Sequence, residues 1–306
     1  MKQLFSVIIP VYNARNWLCP CLDSICSQTF QYWEAILIDD GSTDGSQKIC
    51  DDYAQIDHRF RVVHQTNKGV SVARNVGVCM ATGNYVLFVD ADDMLLPEAL
   101  QVLAKSVEKH PECELFQFGY QEEGKIYCAE KSFLGTVEAF FSNGFLPLRT
   151  VWGTLFRREL VEKIEFTKGL PVGEDTEYSA QCYFLAKHIS VIPEALYMYR
   201  KDIASVMHSR ITSEKIRSIL TVIRHLSLDL VPEFESANRA KQRLLEQLRM
   251  SFYQMLYKTR DERNELLAEY RRLNLSAAKH IYALRVADAF PWLYFFIIKY
   301  IRHIPQ

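Results

Sequence analysis

Residues 85–94 read YVLFVDADDM. Tyr85 to Val89, rich in β-branched and aromatic side chains, form the apolar run of a buried strand. The run stops at Asp90, Asp92 and Asp93, with only Ala91 between them. Along an extended segment side chains i and i+2 share a face, so Asp90 and Asp92 converge while Asp93 points away or starts the next turn. Like charges held that close raise one another's pKa and resist ionising together unless a cation shares the site. Hard divalent cations take oxygen ligands, and Mg2+ in particular binds through one or two carboxylates plus substrate phosphates. The stretch has the composition of half a metal site. For any single aspartate the competing explanation is a cap on the helix around Pro97 or a solvated turn.

Four further segments place this strand in a sheet. LFSVIIPVY (4–12) is a short apolar run ending at Asn13, EAILIDD (34–40) closes at Gly41 and Ser42, RVVHQ (61–65) is a third strand, and ELFQFGY (114–120) a fifth. Between them lie helical patterns: Trp17, Leu18, Cys21, Leu22 and Ile25; TDGSQKICDDYAQI with its cap residues; GVSVARNVGVCMATG ended by Gly83; and PEALQVLAKSVEKHP, with Pro97 in the first turn and Pro111 beyond the end. Strand and helix alternating at this spacing predict an α/β fold, a mostly parallel sheet with helices on both faces. Ligands of such sheets sit beyond the carboxyl ends of the strands. There the sequence puts Tyr12 and Asn13, Asp39 and Asp40, His64 and Gln65, and the three aspartates.

The chain has 306 residues, 49% of them apolar and 24% charged, which suits one large or two smaller globular domains. No run approaches the ~20 apolar residues of a membrane span, and MKQLFSVIIPVYN makes a poor signal peptide, so a cytoplasmic protein is expected. The eight cysteines form no C-x-x-C pair, and reduced, buried thiols are expected. Residues 1–208 carry 19 Lys+Arg against 27 Asp+Glu, whereas residues 209–306 carry 17 against 10, so the two parts should meet different partners. No nucleic acid is expected among them.

NKGVSVARNVG (67–77) brings positive charge to the same region. Gly69 lets backbone approach a ligand, and Lys68 and Arg74 are suited to phosphate oxygens, Arg in bidentate fashion. The alternative is that Arg74 pairs with one of the nearby acids. The segment is neither a Walker loop nor a G-x-G-x-x-G fingerprint, which counts against ATPase and dehydrogenase functions.

SVIIPVYNARNWL, SICSQTFQYWEAILIDDGSTDGS, NKGVSVARNVG and YVLFVDADD occur in the order and approximate spacing of family 2 glycosyltransferases with the GT-A fold, and the chain resembles that family over about residues 5–210. The resemblance implies an inverting transferase that uses a nucleotide-diphospho-sugar, a UDP-sugar as donor, together with Mg2+ or Mn2+. Pro10, Tyr12, Asp39 and Asp40 match the nucleoside-binding part, Asp40 matching the aspartate on the base. Arg74 and Asn75 match the diphosphate or nucleotide side. Asp90, Ala91 and Asp92 match the D-x-D motif that holds the metal on the diphosphate, with Asp93 a candidate to share that work. A bridging cation there neutralises charge on the leaving group.

An inverting displacement also needs a general base for the acceptor hydroxyl. In GLPVGEDTEYSAQ (169–181), Glu174 and Asp175 resemble the family's E-D motif, which makes Asp175 the base and Glu174 its orienting neighbour. Read without the family, the same acids suit an ordinary helix start. VWGTLFRREL (151–160) resembles a segment near the acceptor, with Thr154 where relatives commonly carry Lys; Trp152 offers a face for a sugar but equally suits a core. YMYRKDIASVMHSR (197–210) resembles the segment after the catalytic helix, with Tyr199, Arg200, Ser205 and His208, the last a candidate for the diphosphate or metal.

Residues 1–210 are therefore expected to form the catalytic domain and 211–306 a helical region, in which Ile216, Ile219, Leu220 and Ile223, then Leu244, Leu245, Leu248, Phe252, Met255 and Leu256 recur at helical spacing. The ending FPWLYFFIIKYIRHIP suits either the inner face of a membrane or a helix docked on its own protein or a dimer mate. The expected acceptor is a glycan or lipid-linked hydroxyl in surface polysaccharide synthesis. The competing functions are a sugar nucleotidyltransferase and a non-catalytic glycan- or partner-binding module of the same fold.

Overall fold

The computed structural model describes residues 5–201, 211–228, 234–258 and 262–273. In chain order its elements are β1 (Phe5–Val11), α1 (Arg15–Cys26), β2 (Trp33–Asp39), α2 (Ser46–Ile56), β3 (Phe60–His64), α3 (Val70–Met80), β4 (Tyr85–Phe88), β5 (Met94–Leu95), α4 (Ala99–Lys109), β6 (Leu115–Glu122), β7 (Lys125–Tyr127), β8 (Phe133–Thr136), α5 (Val137–Ser142), β9 (Thr154–Arg157), α6 (Arg158–Val161), α7 (Glu174–Leu185), β10 (His188–Tyr199), α8 (Ser213–Leu228), α9 (Glu235–Lys258) and α10 (Arg263–Arg272).

One sheet runs in the order β3-β2-β1-β4-β9-β6-β10-β5, with β7 on β6 and β8 on β10. The first four strands are parallel and in the places their apolar runs predict. Every residue of β2 and β4 is buried, as helices on both faces of a parallel sheet require. Beyond β4 the sheet is mixed: β9 pairs antiparallel with both β4 and β6, while β6 and β10 run parallel. β10 is the strand that periodicity hides, because its register shifts between Val191 and Ala195, around the exposed Pro193 and Glu194.

Two packing details hold the helices that matter for function. A Cβ on Gly77 would come within 2.3 Å of Ile8 Cγ2, so only glycine lets α3 press onto β1, and Arg74 lies one turn earlier on that helix. Tyr178 of α7 stacks on Phe166 at 3.7 Å between centroids and 4°, and Phe88 of β4 meets both rings edge-on. Burying each of these rings stabilises the fold by roughly 1.5–3 kcal/mol. The start of α7 is thereby fixed against the end of β4.

The chain divides into two compact units after Gly169, with Leu170–Gly173 grouped with the later helices and Glu174 onward returned to the sheet. In the helical unit Ile216, Leu220, Ile223, Leu244, Leu248, Phe252 and Leu256 are buried, and Phe252 stacks on Tyr270 at 4.9 Å. Ser218 donates to the Val172 carbonyl at 2.5 Å. The apolar, basic ending 290–305 lies outside the described residues, and among the described residues no helix is long and apolar enough to cross a membrane.

Candidate functional site

The carboxyl ends of β1, β2 and β3 are knitted into one rim. The Asn13 amide donates to Ser42 Oγ at 3.0 Å and the Thr43 amide donates to Asn13 Oδ1 at 2.8 Å, joining the loops after β1 and β2. Asp39 accepts from the Ser42 amide at 3.0 Å, and its other oxygen lies 2.8 Å from His64 Nδ1. Asp40 accepts from Gln65 Nε2 and from the amides of Lys68 and Gly69 at 2.6, 2.9 and 2.8 Å. Asp40 thus builds the 65–69 loop, while Lys68 stays exposed and Gly69 sits at φ +90°. Pro10 is half-buried beneath this rim and Tyr12 is 54% exposed, an unusual position for a large ring and one open to a planar ligand.

His64 lies between Asp39 and Asp51, and hydrogen bonds to the two carboxylates raise its pKa above the ordinary value, Asp39 the more strongly. A histidine raised in the folded state stabilises most below its unfolded pKa, near 6.5, and loses that contribution as pH climbs through the folded value. His64→Gln should therefore narrow the difference between urea midpoints at pH 5.5 and pH 8, mainly by lowering the acidic one; an unchanged difference contradicts the assignment.

At the end of β4 the three aspartates take different places. Asp93 is 1% exposed, its carboxylate accepting from Tyr197 OH and from the Arg200 amide, both at 2.7 Å. Burial, then the charge of Asp90, pushes its pKa up to about 8. Asp90 and Asp92 are half-buried at the mouth. The concentration of negative charge is felt as far as Cys21, whose thiol is raised by burial and then by Asp93, Asp92 and Asp90. All eight cysteines are free.

Arg74 joins this turn to the start of α7. Its side chain is 4% exposed and forks, Nη2 to Asp90 at 3.0 Å and Nη1 to Asp175 at 2.5 Å, with Glu174 at 3.4 Å. Burial works against its charge, but Asp175, Asp90 and Glu174 outweigh that and raise its pKa. Asp175 is raised well above the carboxylate range by burial; Arg74 opposes that rise, while Glu174 and Asp90 add to it. The expected metal carboxylate and the expected base are thus held on one guanidinium.

Several expected residues have other work here. Arg74, expected on phosphate, is committed to carboxylates, as its alternative reading allowed. Asn75, expected on the nucleotide side, uses both ends of its amide on Phe166, donating to the carbonyl at 2.9 Å and accepting from the amide at 2.8 Å. It thereby fixes the ring on which Tyr178 stacks. Trp152, offered as a sugar platform, is 7% exposed and stacks on Tyr197 and Tyr199 at 4.7 and 5.6 Å. Thr154, at the position where Lys is common, is buried 3.0 Å from Tyr183 OH. Ser205 and His208 lie outside the described residues. Tyr197 joins the Asp93 turn with no motif to mark it, only a YMY context that reads as an apolar strand carrying hydroxyls.

Among the described residues no three His, Cys, Asp or Glu side chains form a ready metal cage. The chemistry of the Asp90–Asp92 turn nevertheless fits a hard divalent cation completed by phosphate oxygens: both donors are carboxylate oxygens at a strand mouth whose negative charge already perturbs Asp93 and Cys21.

The glycosyl transferase family 2 model matches residues 6–165. The glycosyltransferase GlyG of Streptococcus pneumoniae is 32% identical over 250 residues, covering 76% of this chain and 82% of that protein. GlyA of the same organism, also a glycosyltransferase, is 34% identical over 226 residues, covering 69% of this chain; the match spans only 32% of GlyA's own length. The crystal structure of S. aureus TarS 1-349 in complex with UDP-GlcNAc superposes with a TM-score of 0.73 at 23% identity, covering 94% of this chain and 88% of that one, a likeness of fold. The mixed sheet with its flanking helices is the GT-A architecture, and with 160 consecutive residues matched to its model the chain belongs to glycosyl transferase family 2.

Proposed function

We propose that this chain transfers a sugar, with inversion, from a nucleoside-diphospho-sugar to a hydroxyl of a glycan or lipid-linked acceptor in surface polysaccharide synthesis. The observation that carries the proposal is Arg74 fastening Asp90 to Asp175, which sets a leaving-group end and a base end on one rigid fork. The rim around Tyr12, Asp40 and Gly69 receives the nucleoside: a planar ring finds the exposed face of Tyr12, and the 65–69 loop is already shaped by Asp40. TarS, in its complex with UDP-GlcNAc, supports UDP as the nucleotide.

Asp90 and Asp92 would hold a divalent cation, Mg2+ or Mn2+, which would supply charge neutralisation on the departing diphosphate. Asp175 accepts the acceptor hydroxyl's proton as the new bond to the anomeric carbon forms. A buried carboxylate with a raised pKa is a stronger base than an exposed one, and the Arg74 guanidinium beside it favours the ionised form that accepts the proton. Glu174, on the same guanidinium, fixes where Asp175 points. The sheet unit is the proposed catalytic domain and the helices after residue 210 a separate region. The proposed site of action is the cytoplasmic side of the cell membrane.

Product analysis tests the proposal. With UDP-sugars and Mn2+, 31P NMR should show UDP accumulating as sugar leaves the donor. Pyrophosphate in its place would make the chain a nucleotidyltransferase, and an unchanged donor spectrum would make it a binding module.

A further inference from the structure

We infer that the β6–β7 hairpin carries a saccharide-binding platform for the acceptor, away from the reacting hydroxyl, an inference that rests on the transferase reading. Tyr197, whose hydroxyl donates to Asp93, stacks on Trp152 at 4.7 Å; Trp152 meets the edge of Tyr120 at 5.0 Å; and Tyr120 stacks on Tyr127 at 4.9 Å and 13°. Four rings in unbroken contact lead from the carboxylate turn to solvent. Tyr127 is 40% exposed at the outer end and its neighbour Ile126 65%. Tyr199, half-buried, flanks Trp152 and pairs in register with Glu122.

The hairpin is built to hold this surface in place. Glu123 and Gly124 connect the strands with φ of +47° and +78°, so both turn residues lie in the left-handed region that matches strand twist in a two-residue loop. Tyr120 and Tyr127 are direct cross-strand partners. A Cβ on Gly119 would lie 2.5 Å from Cys128 Cβ and from the Tyr127 carbonyl oxygen, so the chain after β7 closes tightly over β6 only because residue 119 is glycine.

What such a surface recognises follows from its chemistry. Tyrosine faces offer flat apolar area with a hydrogen-bonding hydroxyl at the edge, which suits the apolar face and equatorial hydroxyls of a pyranose. Glu122, 3.4 Å from Lys201, adds a charged rim able to accept from and donate to sugar hydroxyls. Tyr197 and Trp152 are buried and anchor the rings from below, so the accessible path from the carboxylate turn runs over half-buried Tyr199, which meets the edge of Tyr120 at 6.4 Å, and on to Tyr127.

The experiment is a binding ladder: glucose, maltose and maltotriose, and N-acetylglucosamine, chitobiose and chitotriose, titrated by saturation-transfer NMR into the unsubstituted protein, Tyr127→Ala and Tyr127→Phe. In at least one series affinity should rise with length; Tyr127→Ala should weaken the trisaccharide roughly 5- to 10-fold, as loss of one ring contact predicts, and Tyr127→Phe should restore it. Gly119→Ala, which displaces the hairpin, should act like Tyr127→Ala. Affinity independent of length, no binding in either series, or equal affinity of the two Tyr127 variants would overturn the inference. So would sedimentation showing a dimer that Tyr127→Ala dissociates, since the face would then belong to a second copy. Release of UDP from the donor by the unsubstituted protein is measured separately, so failure of the transferase reading registers there and failure of the platform in the ladder.

Discussion

Asp175→Asn is expected to lower turnover by about 10²–10⁴-fold, the usual contribution of a positioned base, while donor affinity stays near that of the parent. The two effects separate because Arg74 keeps two carboxylates, Asp90 and Glu174, after Asp175 loses its charge. The fork therefore remains satisfied and the Asp90 end of the site stays in place. In steady-state kinetics kcat should fall with little change in the donor KM, the signature of an interaction made only in the transition state. A variant that transferred sugar at the parent rate would remove Asp175 from the mechanism. One that lost donor binding as well would make it a structural partner of Arg74.

Arg74→Met should have the largest effect on stability. It leaves Asp90, Glu174 and Asp175 facing one another with no counter-charge, and breaking a buried ionic network from one side costs about 3–5 kcal/mol. For a unit of this size that is on the order of a 10 °C fall in Tm. The deficit should shrink on acidification. Asp175 is already raised above the carboxylate range in the folded state, and losing Arg74, which opposes that rise, raises it further. An acid raised on folding carries no penalty below its unfolded pKa and its full penalty above the folded one, so the variant loses more at pH 8 than at pH 5. Arg74→Lys should recover only part of the loss, because one ammonium cannot reach both Asp90 and Asp175 as a planar fork does. Equal melting of Arg74→Met and the parent at pH 8 would show that the cluster carries no net electrostatic weight.

The parallel half of the sheet was legible because each strand is a short apolar run that ends in polar residues, and the position of those ends located the rim. The partners across the rim were not legible. Arg74 and Asp175 are 101 residues apart and Asn75 and Phe166 are 91, so no local periodicity connects them. The partner of Asn75 is hidden for a further reason: its amide satisfies backbone groups, a demand that composition does not display. Trp152 stays ambiguous in the sequence because an indole that stacks on two tyrosines has the same signature as one that stacks on a sugar. Nor does any motif mark the Tyr120–Tyr127 pair, which exists because a two-residue turn returns β7 onto β6.

The central claim is that one guanidinium holds the leaving-group end and the base end of a transferase. 31P NMR of the unsubstituted protein with a UDP-sugar panel and Mn2+ tests it most directly, with the anomeric configuration of the product read by 1H NMR and Asp175→Asn run in parallel. The account predicts UDP release, a product of inverted configuration, and loss of both in the variant with the UDP complex still formed. Pyrophosphate release, a retained anomeric configuration, or undiminished transfer by Asp175→Asn would contradict it.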